Sequence, residues 1–131
     1  MTNTQKRWQF FWKVAQLVVL AWLRGIKVIP IDFHRTAEQQ NDRYQQGRSK
    51  PGKIVTNCDG YEKKSKHQSW LAVDLAIPKS DWSDFIWDFT DDYRKLGELA
   101  EHIGLEWGHR WFEQGQTSYD DIFHYQHKEE N

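Results

Sequence analysis

Cysteine is almost absent from this chain. The single Cys58 excludes an internal disulfide, so the fold has to hold without covalent staples, as suits a reducing compartment. An excess of charge of either sign is also lacking. A formal net charge of -1 over 131 residues gives no general drive toward nucleic acid or anionic lipid, and neither partner is expected. Long hydrophobic runs are missing as well: the apolar stretch between Lys13 and Arg24 is too short to span a bilayer, and no small-x-small cleavage site follows it. Gln9, Lys13, Gln16 and Arg24 fall at helical spacings and make a narrow polar stripe, so Trp8 to Leu23 reads as a buried core helix. No repeat or low-complexity tract occurs.

Aromatic rings are what the chain has in abundance. They make up 15% of the residues, with eight Trp, enough to fill a compact core or to line a groove for a polymeric substrate. The length fits one domain spanning 1–131, without room for a separate binding module.

Helices and strands mix irregularly along the chain, which predicts an α+β fold. After the first helix, stopped at Gly25, Ile26 to Phe33 reads as a strand that Pro30 confines to a sheet edge or a bulge. Thr36 caps a helix over Ala37 to Gln46, closed by Gly47. A short strand over Lys53 to Thr56 and a polar loop to Lys66 come next. Leu71 to Ile77 alternates as a strand, and Lys79 to Asp88 is read as loop. Tyr93 to Ile103 carries a helical stripe ended by Gly104, Leu105 to Gly108 is a strand or turn, and Trp111 and Phe112 lead into a polar loop. Asp121 to Gln126 is the last strand, and the tail from His127 is expected to fray.

Within the alternating strand, Leu71, Val73, Leu75 and Ile77 share one face while Ala72, Asp74 and Ala76 share the other. A carboxylate in such a strand needs a partner, and a metal ion is one of the few that repays its desolvation. His67 is a candidate co-ligand if Gln68 to Trp70 bend the chain, because an odd separation on a straight strand would put the two side chains on opposite faces. His124 can supply a third ligand if the last strand neighbours the Asp74 strand. Two imidazoles and one carboxylate leave a coordination position for water. Asp121 would then have to come from the turn entering that strand to act as a base toward the water. Cys58, between Asn57 and Asp59, is poorly placed to be a catalytic thiol.

Ser65-x-His67-x-x-Trp70-x-Ala72-x-Asp74 resembles the Ser-x-His-x-x-Gly-x-Ala-x-Asp signature of zinc peptidases that include VanY-type D-alanyl-D-alanine carboxypeptidases and phage L-alanyl-D-glutamate endopeptidases. Further resemblances follow in the same order: Phe33 to Gln40, Gln46 to Gly52 with Val55 to Asn57, Gly104-Leu105-Glu106-Trp107-Gly108-His109-Arg110-Trp111, and Asp121-Ile122-Phe123-His124-Tyr125. Three departures stand out, with Trp70 and His109 where glycines are common and Phe123 in place of proline.

That resemblance implies a Hedgehog/DD-peptidase-like fold, a small antiparallel sheet backed by helices. It implies Zn²⁺ on His67, Asp74 and His124, with Asp121 as catalytic base. Arg35 would bind substrate or steady the oxyanion with Gln40 supporting it, Gln40, Trp70 and Trp107 would form substrate contacts, and the Trp107 and Trp111 pair would pack and wall the cleft. The implied substrate is the peptide stem of peptidoglycan, cut by a monomer without membrane or nucleic-acid partner. Such an enzyme would be a phage or prophage endolysin, made in the host cytoplasm without a signal peptide and reaching the wall after membrane breach. Alternatives are a D-alanyl-D-alanine carboxypeptidase, a non-catalytic wall-binding relative, and a non-haem iron oxygenase, whose facial triad uses the same residue types.

Overall fold

The computed structural model describes residues 1–129. A helix α1 (Asn3–Leu23) precedes the edge strand β1 (Ile29–Asp32), helix α2 (Ala37–Gln45) and the strand β2 (Ala72–Pro78). The short strand β3 (Phe85–Ile86), helix α3 (Asp91–Ile103), strand β4 (Leu105–Trp107), short helix α4 (Gly108–Glu113) and strand β5 (His124–His127) complete the chain. The strands form one antiparallel sheet in the order β1-β2-β5-β4, with β3 on the far end of β2. The expected α+β class, an antiparallel sheet backed by helices, is what forms.

Local chemistry sets the element ends. Thr36 and Gln39 make a reciprocal capping box on α2, Thr90 caps α3, and Asp91 and Asp92 sit in its first turn, where carboxylates meet the positive end of the helix dipole. Gly104 ends α3 at φ 105°, a left-handed conformation that favours glycine. Pro30 does sit on an edge strand, and the β1/β2 register shifts between Pro30 and Asp32, since proline lacks the N–H a regular ladder needs.

The sheet buries one face against α1 and α3. Leu71, Val73, Leu75 and Ile77 join Phe10, Leu17, Leu96 and Ala100 in the core, each fully buried Leu or Phe contributing on the order of 1.5–3 kcal/mol. Alternation leaves Ala72, Asp74 and Ala76 on the other face.

Five local expectations are corrected. Lys53 to Thr56 makes no strand; the Arg48 guanidinium holds this loop through the Thr56 carbonyl instead of a ladder. The segment after Pro78 includes β3, because the Tyr93 hydroxyl donates to Ile86 O while accepting from Ile77 N and so ties the two strands. Trp111 and Phe112 do precede the polar loop, but they do so as part of α4, a helix that was not anticipated. His127 belongs to β5 and is 1% exposed, so the chain is not frayed there, and the last two residues of the expected tail lie outside the described residues. Nor is α1 buried on all its apolar sides. Phe10, Val14, Leu17 and Ala21 face the core, Gln9, Lys13 and Gln16 run half-buried along one flank with Lys13 Nζ donating to Gly104 O, and the outward face is apolar.

Candidate metal centre

The antiparallel register of β2 and β5 sets Asp74 directly opposite His124. His67 arrives from a short 3-10 helix, Lys66–Ser69, capped by Ser65 and ended by Trp70 in the left-handed region (φ 63°, ψ 30°). This is the bend that the spacing of His67 and Asp74 requires. Three atoms converge: His67 Nε2 is 3.2 Å from His124 Nδ1 and 3.3 Å from Asp74 Oδ1, and the last two are 3.5 Å apart.

That triangle has the dimensions of a metal site. Ligands about 2.0–2.2 Å from a tetrahedral ion lie roughly 3.3–3.6 Å from one another. Asp74 Oδ1 is buried without an aligned donor among the described residues, an orphan that a cation would satisfy. The outer atoms orient the inner ones. His67 Nδ1 lies 3.1 Å from the Phe33 carbonyl and His124 Nε2 lies 2.8 Å from Gln126 Oε1. Donating those protons outward leaves both inner nitrogens with lone pairs toward the triangle.

Electrostatics concentrate at the same point. Burial opposes ionisation of Asp74, but His124 and His67 outweigh it and hold the carboxyl well below its usual range. Burial also works against a charged His124, yet Asp74 and Asp121 push its imidazolium up to about 9. Arg35 stabilises the opposite side of Asp74. Its Nη2 donates to Asp74 Oδ2 at 3.1 Å, its Nε to Asp32 Oδ2 at 2.6 Å and its Nη1 to Gln40 Oε1 at 3.0 Å. Three of five N–H groups are thus committed, and two remain for another acceptor.

Asp121 lies in the turn entering β5, as its offset from His124 demands, with Oδ2 3.8 Å from His124 Nδ1. Burial and the Asp74 charge, opposed by His124, His67 and Arg35, raise its pKa. The turn is fastened from two sides. The Trp107 indole donates to the Ile122 carbonyl, and His109 Nδ1 lies 2.6 Å from Asp120 Oδ1. Gly108 allows the close approach: a Cβ there would sit 3.0 Å from Asp121 Cβ, 3.1 Å from His124 Cβ, and closer still to the Asp121 carbonyl.

The triangle floors a cleft of about 640 Å³ whose walls include Trp87, Trp111, Phe123 and Tyr119, with Arg43 and Lys64 also on its lining. A more open depression of about 720 Å³ beside β1 and α2 shares Arg35 but none of the three converging side chains.

No protein-family model matches the chain. It is 38% identical over 96 residues to the peptidoglycan L-alanyl-D-glutamate endopeptidase CwlK of Bacillus subtilis (strain 168), a match spanning 67% of this chain and 56% of that relative. The chain belongs to the VanY-like family and spans little more than half the length of this relative. Solved structures share the fold. The D,D-pentapeptidase VanY of a VanB-type resistance cassette, in complex with Zn(II), superposes with a TM-score of 0.63 at 19% identity, covering 90% of this chain and 70% of that one. The L-Ala D-Glu endopeptidase ChiX of Serratia marcescens gives 0.57 at 18%, covering 87% and 77%.

Against the VanY-like signature, the structure brings His67, Asp74, His124, Asp121 and Arg35 into one site. The three residues expected to contact substrate do not line it. Gln40 is fully buried and donates to the Thr56 hydroxyl and the Cys58 carbonyl, acting as a brace for Arg35. Trp107 is 1% exposed, its ring packed over Gly97 in the core. Trp70 points out of the cleft and stacks on His34 at 4.2 Å, so the ring at the glycine position leaves the site clear. Gln126, Asp32 and the Phe33 carbonyl complete the arrangement without having been singled out, as does His109, noted in the sequence for standing where glycine is common but given no role there. Only Gln126 had a sequence signal, its place two residues beyond His124 on the same strand face.

Proposed function

We propose that this chain is a zinc-dependent peptidase that hydrolyses the peptide stem of bacterial peptidoglycan at the L-alanyl-D-glutamate bond. The observation that carries the proposal is the triangle of His67 Nε2, Asp74 Oδ1 and His124 Nδ1 at the floor of an open cleft, with Asp121 beside it. The Zn(II) of the VanY structure and the activities of CwlK and ChiX support the same assignment. Zinc held by His67, Asp74 and His124 would supply Lewis acidity toward a peptide carbonyl.

The chain's own residues would do the rest. Asp121 takes a proton from the attacking water and returns it to the leaving amine. Its raised pKa suits both halves of that task. The two uncommitted N–H groups of Arg35 face the developing oxyanion, while Gln40 and Asp32 keep the guanidinium in place. Arg43 and Lys64 on the cleft lining suit the carboxylates of a stem peptide.

The endopeptidase bond is preferred over a D-alanyl-D-alanine bond because the CwlK match is at 38% identity and the VanY match at 19%. These peptidase relatives likewise favour zinc over the iron of a facial-triad oxygenase. The phage-type loop over Gln46 to Gly52 and the Gly104 to Trp111 segment favour an endolysin, a monomer made in the host cytoplasm and acting on the wall after membrane breach.

Purified peptidoglycan incubated with the zinc-loaded protein tests this. Wild type should release new amino termini that mass spectrometry assigns to D-glutamate, and Asp121→Ala should be slower by roughly 10²–10⁴-fold. Amino termini on D-alanine would move the assignment to the carboxypeptidase, and no release by wild type would remove the enzyme altogether.

A further inference from the structure

The outward face of α1 is apolar from Trp8 to Trp22. Trp8, Trp12, Ala15, Val19 and Trp22 recur at i, i+4, i+7, i+11 and i+14, which places them on one side of the helix. That side faces solvent: Trp8 is 67% exposed, Trp12 53% and Trp22 62%, with Phe11, Val19 and Leu23 exposed beside them. The patch extends past Phe11, which stacks on Trp8, into a depression lined by Arg7, Phe11, Phe33 and Trp70. Contiguous apolar surface of this kind marks an interaction site.

Charge identifies the occupant. From Met1 to Ile31 the chain has five cations, Lys6, Arg7, Lys13, Arg24 and Lys27, and no carboxylate. Glu129 meets Lys6, Lys13 Nζ donates to Gly104 O, Arg24 Nη1 donates to Leu20 O and Lys27 Nζ lies over the Trp82 ring, but Arg7, whose Nε alone is held by Ser69 O, lines the depression at the edge of the patch. A second copy of the same face would bring like charges together in a two-fold contact. An anionic bilayer surface complements both features, because tryptophan rings settle at the headgroup level and cations meet the phosphates. No helix among the described residues is long and apolar enough to cross a membrane. The helix, roughly 30 Å long at 1.5 Å per residue, has the length and pattern to lie in the interface plane.

We infer that α1 docks this protein on anionic phospholipid bilayers through Trp8, Trp12, Val19 and Trp22. The face lies apart from the metal cleft, so docking leaves the cleft open, and the inference stands independently of the proposed hydrolysis.

Co-sedimentation with vesicles of phosphatidylethanolamine and phosphatidylglycerol, against vesicles of phosphatidylcholine, tests the inference without any hydrolysis. Wild type should bind the anionic vesicles at least tenfold more tightly, with a blue shift in tryptophan emission. The combined Trp8→Gln, Trp12→Gln and Trp22→Gln variant should lose at least tenfold in that affinity while keeping its circular dichroism. Should the variant fail to fold, the wild-type comparison decides by itself. No sedimentation with anionic vesicles, or equal binding to both kinds, overturns the inference. So does a wild-type dimer in sedimentation equilibrium that ignores vesicles and dissociates in the variant, an outcome that would assign the face to a second copy.

Discussion

Asp74 and His124 are cross-strand partners in the β2/β5 ladder, and their inward atoms lie 3.5 Å apart. The sheet itself therefore presets two corners of the metal triangle, leaving only His67 to be delivered by a bend. Asp74→Asn replaces the anionic corner with an amide and leaves Arg35 facing a neutral group. Metal analysis after dialysis should find one zinc per wild-type chain and a loss of at least about a hundredfold in affinity for the variant. Zinc at a hundred times its wild-type Kd should stabilise wild type by about 2.7 kcal/mol and Asp74→Asn by no more than about 0.4 kcal/mol, read as the zinc-dependent shift in Tm.

Gln126 should matter although it lies outside the triangle. Its Oε1, 2.8 Å from His124 Nε2, holds that nitrogen protonated so that Nδ1 faces inward with a lone pair. Gln126→Leu removes this constraint, and isothermal titration with zinc should find an affinity lower by roughly 10–100-fold. Gln126→Glu keeps an acceptor in place and should restore most of the loss.

How much of this was legible beforehand differs from residue to residue. The alternation from Leu71 to Ile77 placed Asp74 on the face opposite the core, and the offset of Asp121 from His124 assigned it to the turn, because a period of two has few solutions. The reading of α1 as a buried core helix failed for a reason of a related kind: Gln9, Lys13 and Gln16 do share a side, but helical spacing cannot say which of the apolar sides meets a neighbouring element and which faces solvent. Trp107 was misplaced because an exposed aromatic and a core aromatic look alike in sequence. Only the structure sets its ring against Gly97.

His109 fastens the turn that carries Asp121. Its ring stacks on Phe89 at 4.2 Å and its Nδ1 holds Asp120 at 2.6 Å, so Asp120 is tied back while its neighbour faces the cleft. His109→Ala should lower kcat about tenfold or more, as misplacement of a catalytic group does, with zinc affinity unchanged within a factor of about three. Steady-state kinetics beside zinc titration checks the split, and His109→Gln, which can still reach Asp120, should recover part of kcat.

Trp70 sits at φ 63°, where a side chain costs on the order of 1–3 kcal/mol. Its stacking on His34 and contact with Phe33 offset that strain. Trp70→Ala loses the stacking and keeps the strain, whereas Trp70→Gly loses both. Urea denaturation should therefore rank wild type and Trp70→Gly above Trp70→Ala, with glycine about 1 kcal/mol better than alanine. Zinc affinity should stay level across all three, because the ring lies outside the cleft.

His127 gives β5 a pH-dependent stability. Burial, reinforced by Lys66, Lys13 and Lys6 and opposed by Glu129, lowers its pKa below the ordinary value, and neither ring nitrogen has a hydrogen-bond partner among the described residues. The folded protein therefore keeps this imidazole neutral while the unfolded chain takes up a proton below about pH 6.5. Because the unfolded state binds more protons there, the stability present above that pH is lost as pH falls from about 6.5 toward the depressed folded value, and the contribution is constant below it. His127→Gln removes the titration. With chelator present in both samples, the urea midpoint of wild type should fall more between pH 7.5 and pH 5.5 than that of the variant. An equal fall in the two would mean that residue 127 contributes nothing to the acid limb.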